Sequence, residues 1–168
     1  DLPDLLPSNL SIFRNDVSVL KARLSGRRST GGAVECLLLR PAEPMETTWR
    51  CLLKPGGKTA RTGKFSLPGE YEATVLESLP SGEYLVKFDL PKDADPPALA
   101  QRIGTLPLPP YVRRPVNDMD ELRYQTVYAN TENRSAVAAP TAGLHFTPMV
   151  LQRLEEDGHS IHNLTLSV

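Results

Sequence analysis

From about residue 22 to residue 108 the chain is a succession of short strand-like runs between turn signals, and this constrains the fold more than any other feature. The runs are 34–39, 48–53, 71–79 and 84–89. The turns fall at Gly31-Gly32, Pro55-Gly56-Gly57, Pro68-Gly69 and Ser81-Gly82. Residues 72–77 partly alternate apolar and polar, as a half-buried strand does. Evenly spaced short strands predict a small antiparallel barrel or sandwich, and closure removes exposed strand edges. Residues 89–97, rich in proline and aspartate, predict a loop, with a short helical turn over 97–102. Trp49 and Tyr71 sit in strand-like runs, where aromatic rings more often fill a core than stack on bases.

The flanks read differently. Residues 10–13 follow the turn-like Pro7-Ser8-Asn9 and predict a strand ending near Asn15-Asp16. Polar residues at a strand end are where α/β sheets place sites; the equal alternative is an Asx turn that closes the strand. Past Pro109-Pro110, Asp118 with Glu121 three residues on has the pattern of a capping box and predicts a helix over 119–128. Arg123 on that helix has the fork geometry to pair a carboxylate or phosphate, or to make an ordinary surface ion pair.

The densest local pattern is 135–148. A small apolar run at 136–139 suits a buried strand or close backbone contact and ends at Pro140, which cannot donate to a ladder. Gly143 permits a positive φ or the close approach of another group. Thr147 caps a helix whose first position is Pro148, with Val150, Leu151 and Leu154 inward and Gly158 as the stop. His145 therefore lies in a constrained loop at a helix N-terminus, a place that suits polar or anionic ligand groups. A core-satisfied histidine in a structural turn is the alternative. His159 and His162 lie three apart, a spacing that suggests a metal pair only if carboxylates join them.

Composition sets outer limits. The length of 168 residues allows one ordinary domain or two small ones. A hydrophobic content of 40% is enough for a core. The net charge of -1 leaves only local basic patches for nucleic acid. Two such patches stand out: Lys21, Arg23, Arg27 and Arg28, then Lys54, Lys58, Arg61 and Lys64 in what reads as a glycine-rich loop between strands. Either could follow a phosphate backbone; a solvated hairpin is the alternative. No apolar run is long enough to span a membrane. Cys36 and Cys51 predict reduced, buried thiols in a cytoplasmic protein. The chain opens at Asp1 without methionine and stops in a strand-like run, so it reads as a piece of a longer protein.

Residues 136–147, taken with Arg123-Tyr124-Gln125-Thr126-Val127-Tyr128-Ala129, resemble the signature of the S-adenosylmethionine:tRNA ribosyltransferase-isomerases of queuosine biosynthesis. Three shorter segments agree in order: residues 1–6; Arg23-Leu24 through Thr30-Gly31-Gly32 to the strand at 34–39; and Ile103-Gly104 with residues 107–111. The resemblance implies a partial α/β domain carrying an inserted antiparallel β-barrel. The divisions would be 1–21 for the first part of the α/β domain, 22–110 for the barrel and 111–168 for the return.

It also implies a chemistry. The ribosyl part of S-adenosylmethionine, consumed as substrate, is transferred and isomerised onto the aminomethyl-7-deazaguanine base of a tRNA. The product is epoxyqueuosine-tRNA, adenine and methionine leave, and no metal is implied. His145 is the expected proton-transfer group. Arg123, Tyr124, Gln125, Thr141, Gly143, Asn15 and Asp16 are expected at the substrate, with Arg27, Arg28, Lys54, Lys58 and Arg61 on tRNA. The expected partner is that tRNA, with no membrane and a monomer favoured. Three positions depart from the family pattern: Val17 and Ser18 replace a threonine and an arginine, and Ser167 replaces a histidine. Serine cannot carry a proton near neutral pH as imidazole does. The rival readings are a non-catalytic relative that binds tRNA or nucleoside, and a β-barrel RNA-binding module.

Overall fold

The structure, a computed structural model, describes residues 2–42, 45–92, 94–109, 111–132 and 134–166. The chain divides into two compact units, one made of Asp1–Val19 with Leu108–Val168 and the other of Leu20–Pro107. Asp1, Pro110, Ser167 and Val168 lie outside the described residues, which takes in the expected barrel limit at 110 and the departure at Ser167.

In chain order the first segment supplies a short helix α1 (Leu2–Leu5) and strands β1 (Ser11–Asn15) and β2 (Ser18–Val19). The second unit supplies β3 (Arg23–Arg28), β4 (Ala33–Ala42), β5 (Met45–Lys54), α2 (Gly56–Thr62), β6 (Lys64–Leu67), β7 (Tyr71–Ser78), β8 (Tyr84–Asp89) and α3 (Pro96–Ile103). The return segment supplies α4 (Asp118–Arg123), β9 (Arg134–Ala136), a 3-10 turn (Thr141–His145), α5 (Pro148–Glu156) and β10 (Ser160–Leu164).

The second unit is a closed antiparallel barrel in the order β3-β4-β5-β8-β7-β6. Its filling follows the two-residue period of strands. Leu24, Val34, Cys36, Leu38, Cys51, Phe65, Ala73, Val86 and Phe88 point inward and are almost wholly buried. The Tyr71 ring meets Phe65 edge-on at 6.1 Å and Phe88 at 5.9 Å, and its hydroxyl donates to the Ser25 carbonyl at 3.0 Å. Trp49 is buried as well, so both aromatic residues are core. The partial alternation of β7 has a cause: the register with β8 shifts between Val75 and Glu77, a bulge that turns the later side chains outward. Cys36 and Cys51 are free thiols; burial, and then the neighbouring Cys36, push the Cys51 thiol well up.

The expected glycine-rich loop is a helix. Pro55 leads into α2, which carries Lys58 and Arg61 and closes on Gly63 in the left-handed region at φ 68°. Lys54 ends β5 and Lys64 opens β6. The aspartate- and proline-rich stretch yields α3, where Asp95 accepts from the Ala98 amide at 2.6 Å.

In the other unit β1 pairs in parallel with β10, Ser11 opposite Ser160 through Asn15 opposite Leu164, and β2 pairs in parallel with β9. Parallel neighbours need a long crossover. The element entering β10 is α5, capped by Thr147, whose hydroxyl accepts from the Val150 amide at 3.2 Å. Leu154 is its fully buried anchor. Gly158 then turns the chain at φ 83°. Three expectations shift here. The last strand among the described residues is Ser160–Leu164, so it begins before the strand-like run in which the chain stops. The apolar run at 136–139 is strand only as far as Ala136. The helix expected over 119–128 is α4, which ends at Arg123. Its capping box is one residue earlier than expected: Asn117 accepts from the Asp120 amide while Asp120 accepts from the Asn117 amide.

Candidate active site

A cleft of about 320 Å³ opens among Leu108, Pro109, Tyr111, Val112, Arg114, Asp120, Arg123, Tyr124, Thr141, Leu144 and His145. Apolar side chains form most of its wall, and the polar groups are Tyr111 and Arg114 ahead of α4 and those of two short segments. α4 and its exit contribute Asp120, Arg123 and Tyr124; the 3-10 turn contributes Thr141 and His145. Few polar groups converging on an apolar wall is the usual composition of a small-molecule site.

The charges are ordered. Arg114 makes a two-pronged pair with Asp120, Nη1 to Oδ2 at 2.5 Å and Nη2 to Oδ1 at 2.7 Å. That hydrogen bond, then the Asn117 amide and the charges of Arg114 and Arg123, hold the Asp120 carboxyl down at about 2. Asp120 is therefore a fixed anion matched to Arg114, and Arg123 adds a second cation to the same wall. The Tyr124 ring is buried. Burial raises its phenol, a rise offset in part by a hydrogen bond from the Ala139 backbone. His145 is exposed at the end of its turn. It also lines a second hollow of about 440 Å³ with Leu2, Pro3, Phe146, Met149, Val150 and Arg153.

Of the residues expected at the substrate, Arg123, Tyr124, Thr141 and His145 meet in the cleft. Gly143 is buried at the centre of the turn. Asn15, Asp16 and Gln125 commit polar atoms inside the unit instead. Asn15 Oδ1 accepts from the Val17 amide at 3.2 Å, an Asx turn, and from the Leu166 amide at 3.0 Å, while its Nδ2 donates to the Leu166 carbonyl. Asp16 Oδ1 accepts from the Thr165 hydroxyl at 2.7 Å. The Gln125 carboxamide takes the place of a neighbouring strand: Oε1 accepts from the Val19 amide and Nε2 donates to the Val19 carbonyl, both at 2.9 Å.

The departures at Val17 and Ser18 are core positions, 1% and 2% exposed, and the Ser18 hydroxyl reaches Gln125 Oε1 at 3.4 Å. His159 is buried and its Nδ1 accepts from the Leu10 amide at 3.2 Å, whereas His162 stacks on Phe13 at 5.1 Å. Among the described residues no group of three or more His, Cys, Asp or Glu is placed to hold a metal ion.

Sequence reasoning missed Arg114, Asp120 and Tyr111. The spacing of Asn117 and Asp120 was the available signal, masked by the competing Asp118 and Glu121 pair. It also missed Tyr128. The Arg14 guanidinium lies over the Tyr128 ring at 4.5 Å from its centroid, and burial raises the phenol against the opposing effect of that cation.

On the barrel, the register brings the end of β3 (Arg27, Arg28), the end of β5 (Lys54), α2 (Lys58, Arg61) and the start of β6 (Lys64) to one end. A groove of about 540 Å³ there is lined in part by Arg27, Lys54, Pro55 and Glu35. No helix among the described residues is long and apolar enough to cross a membrane.

A closed six-stranded barrel, and a second unit of parallel strand pairs and helices that bears the cleft, define an α/β protein carrying a β-barrel. Comparison with known proteins then fixes the family. The model of the family described as "Queuosine biosynthesis protein" matches residues 1–168, and the chain belongs to that family. The S-adenosylmethionine:tRNA ribosyltransferase-isomerase of Pelobacter propionicus is 44% identical over 99% of this chain and 47% of its own length. That of Trichlorobacter lovleyi is 41% identical over 98% of this chain and 46% of its own. The protein of the same name from Anaeromyxobacter is 44% identical over the whole of this chain and 48% of its own. The chain thus spans about half the length of the curated relatives it matches. A solved S-adenosylmethionine tRNA ribosyltransferase from Thermotoga maritima aligns with a TM-score of 0.41 at 23% identity, over 99% of this chain and 44% of that one.

Proposed function

We propose that the full-length protein is an S-adenosylmethionine-dependent tRNA ribosyltransferase-isomerase. It moves the ribosyl part of S-adenosylmethionine onto the aminomethyl-7-deazaguanine base of tRNA and releases adenine and methionine. The observation that carries this reading is the convergence of Arg123, Tyr124, Thr141 and His145 on one cleft, in a chain 44% identical to a relative of that name. The reaction needs a group to take a proton beside the sulfonium, an acid for the departing adenine, and an anchor for the donor.

His145 has the exposure and the ring to move a proton at the cleft mouth. Arg123, the cleft cation beside the Arg114–Asp120 pair, is suited to the methionine carboxylate. Thr141 supplies a hydroxyl at the same wall, and the apolar lining excludes water. Asn15, Asp16 and Gln125 act from behind, by holding the strands. In this reading the barrel is an inserted domain. Its basic end, with Arg27, Arg28, Lys54, Lys58 and Arg61, lies along the tRNA backbone, and the protein works as a cytoplasmic monomer without a metal.

The departures at Val17 and Ser18 fit this reading, because both positions are packed rather than exposed to the cleft. The test mixes full-length protein with S-adenosylmethionine and precursor-bearing tRNA, then measures epoxyqueuosine by nucleoside mass spectrometry and free adenine. His145→Ala should lower turnover by about 10²–10⁴-fold; turnover within a few-fold of wild type would remove His145 from the chemistry. Absence of both products with wild-type protein that still binds tRNA would instead favour a non-catalytic relative. Arg27→Glu with Lys54→Glu should weaken tRNA binding and flatten its salt dependence by about two phosphate contacts. An unchanged salt slope would place the tRNA elsewhere.

A further inference from the structure

We propose that Tyr128, acting through Gly143, is a positioning residue for His145. The inference rests on the ribosyl-transfer reading of the cleft and assigns Gly143 a packing role in place of a substrate contact.

Gly143 is the centre of the 3-10 turn. Its amide donates to the Pro140 carbonyl at 2.8 Å, and its own carbonyl accepts from the Phe146 amide at 3.1 Å. A side chain at this position has no room. A Cβ built on Gly143 would lie 2.0 Å from the Tyr128 hydroxyl oxygen, 2.9 Å from Thr126 Cγ2 and 3.1 Å from Tyr128 Cζ. The phenol therefore fills the space of the missing side chain, and the turn rests directly on it.

Tyr128 is not free to yield. Its ring lies under the Arg14 guanidinium, and Arg14 Nε is itself tied to Asn163 Oδ1 at 2.8 Å. Two residues on, the Asn130 amide donates to the Asp16 carbonyl at 2.7 Å. On the other side Gln125 grips Val19. Residues 125–130 form a brace fixed at both ends, with Tyr128 and Thr126 as its contact with the turn. A methyl group at Gly143 must therefore displace the turn rather than the brace, and His145 moves with it. Misplacement of a reacting group by about 1 Å can cost about 10²-fold in rate.

The experiment is a double-mutant cycle on the full-length protein with Gly143→Ala, Tyr128→Phe and the pair. Each is assayed for kcat and KM with S-adenosylmethionine and precursor tRNA, and the His145 imidazole resonance is followed with 13C-labelled histidine. Gly143→Ala should lower kcat by about 10²-fold, with KM for S-adenosylmethionine little changed, and should shift the His145 resonance. Removing the hydroxyl takes away the atom at 2.0 Å, so in the Tyr128→Phe background the same substitution should cost at least about tenfold less and the resonance should move back. An equal loss in both backgrounds would overturn the proposal and return Gly143 to the substrate; no loss at all would overturn it too.

If Gly143→Ala does not fold, the double variant decides. Folded, with kcat within about tenfold of Tyr128→Phe, it supports the brace; unfolded as well, it refutes it. The resonance arm needs no turnover. A wild-type protein without ribosyl transfer would thus sink the functional reading while leaving the positioning claim open to its own test.

Discussion

The barrel and the cleft-bearing unit are held by different means. In the barrel every strand has two neighbours, the ladder closes on itself, and side chains only need to fill the interior. In the other unit the strands form two separate pairs, and single polar side chains join segments far apart in sequence. Asn15 holds Leu166, His159 holds Leu10, Gln125 holds Val19 and Asp16 holds Thr165. The difference teaches where each unit is vulnerable. A closed ladder with an apolar filling responds to side-chain volume and is indifferent to most surface chemistry. A unit pinned by single polar side chains responds to the identity of a few polar atoms.

The largest test of that contrast is Phe88→Ala. The ring is 1% exposed and lies 5.9 Å from Tyr71 in the barrel interior. Its truncation should cost about 3–5 kcal/mol by lost burial plus the cavity left behind. Denaturant unfolding of the full-length protein, followed by a probe within the barrel, reads the shift. A cost below about 1 kcal/mol would mean that ladder closure alone holds the barrel and that its filling is dispensable.

The same contrast explains what the sequence reveals. Barrel strands are legible because inward residues such as Val34, Cys36 and Leu38 recur at period two between glycine turns, and both signals are local. β3 and β6 are harder to read: β3 carries Gly26, Arg27 and Arg28, and β6 has only four residues. Their strand state comes from partners on either side. α2 is hidden because Gly56 and Gly57 read as a turn, although they are its first two residues. In the cleft unit the Thr147-Pro148 start and the Gly158 stop are legible for the same local reason.

The early end of α4 is not legible. Nothing near Tyr124 breaks a helix; the chain leaves it because the Gln125 carboxamide is held by Val19, 106 positions away. Likewise Asn15 and Asp16 look like site residues at a strand end, and their bonds to the distant Leu166 and Thr165 are invisible in the local sequence. His145 and Arg123, which line the cleft, stand out by motif, while Arg114 reaches the cleft through a pairing with Asp120 that the Asp118 pattern obscured.

Gln125 gives the smaller and finer test. Its carboxamide satisfies both Val19 backbone groups at 2.9 Å, on a strand that is itself buried. Gln125→Ala leaves a donor and an acceptor without that partner, and should cost about 1–3 kcal/mol with faster hydrogen exchange at the Val19 amide. Gln125→Glu separates the two bonds. An ionised carboxylate still accepts from the Val19 amide but faces the Val19 carbonyl with no hydrogen to give, so it should destabilise at least as much as alanine. If both variants matched wild type in stability and exchange, water would be replacing the side chain at Val19 and the pinning of this unit would have to come from its apolar contacts. If alanine were tolerated and glutamate were not, the strand would need only to avoid repulsion there. A loss in both, with Phe88→Ala remaining the costlier change, is the pattern expected of a volume-limited barrel and a hydrogen-bond-limited second unit.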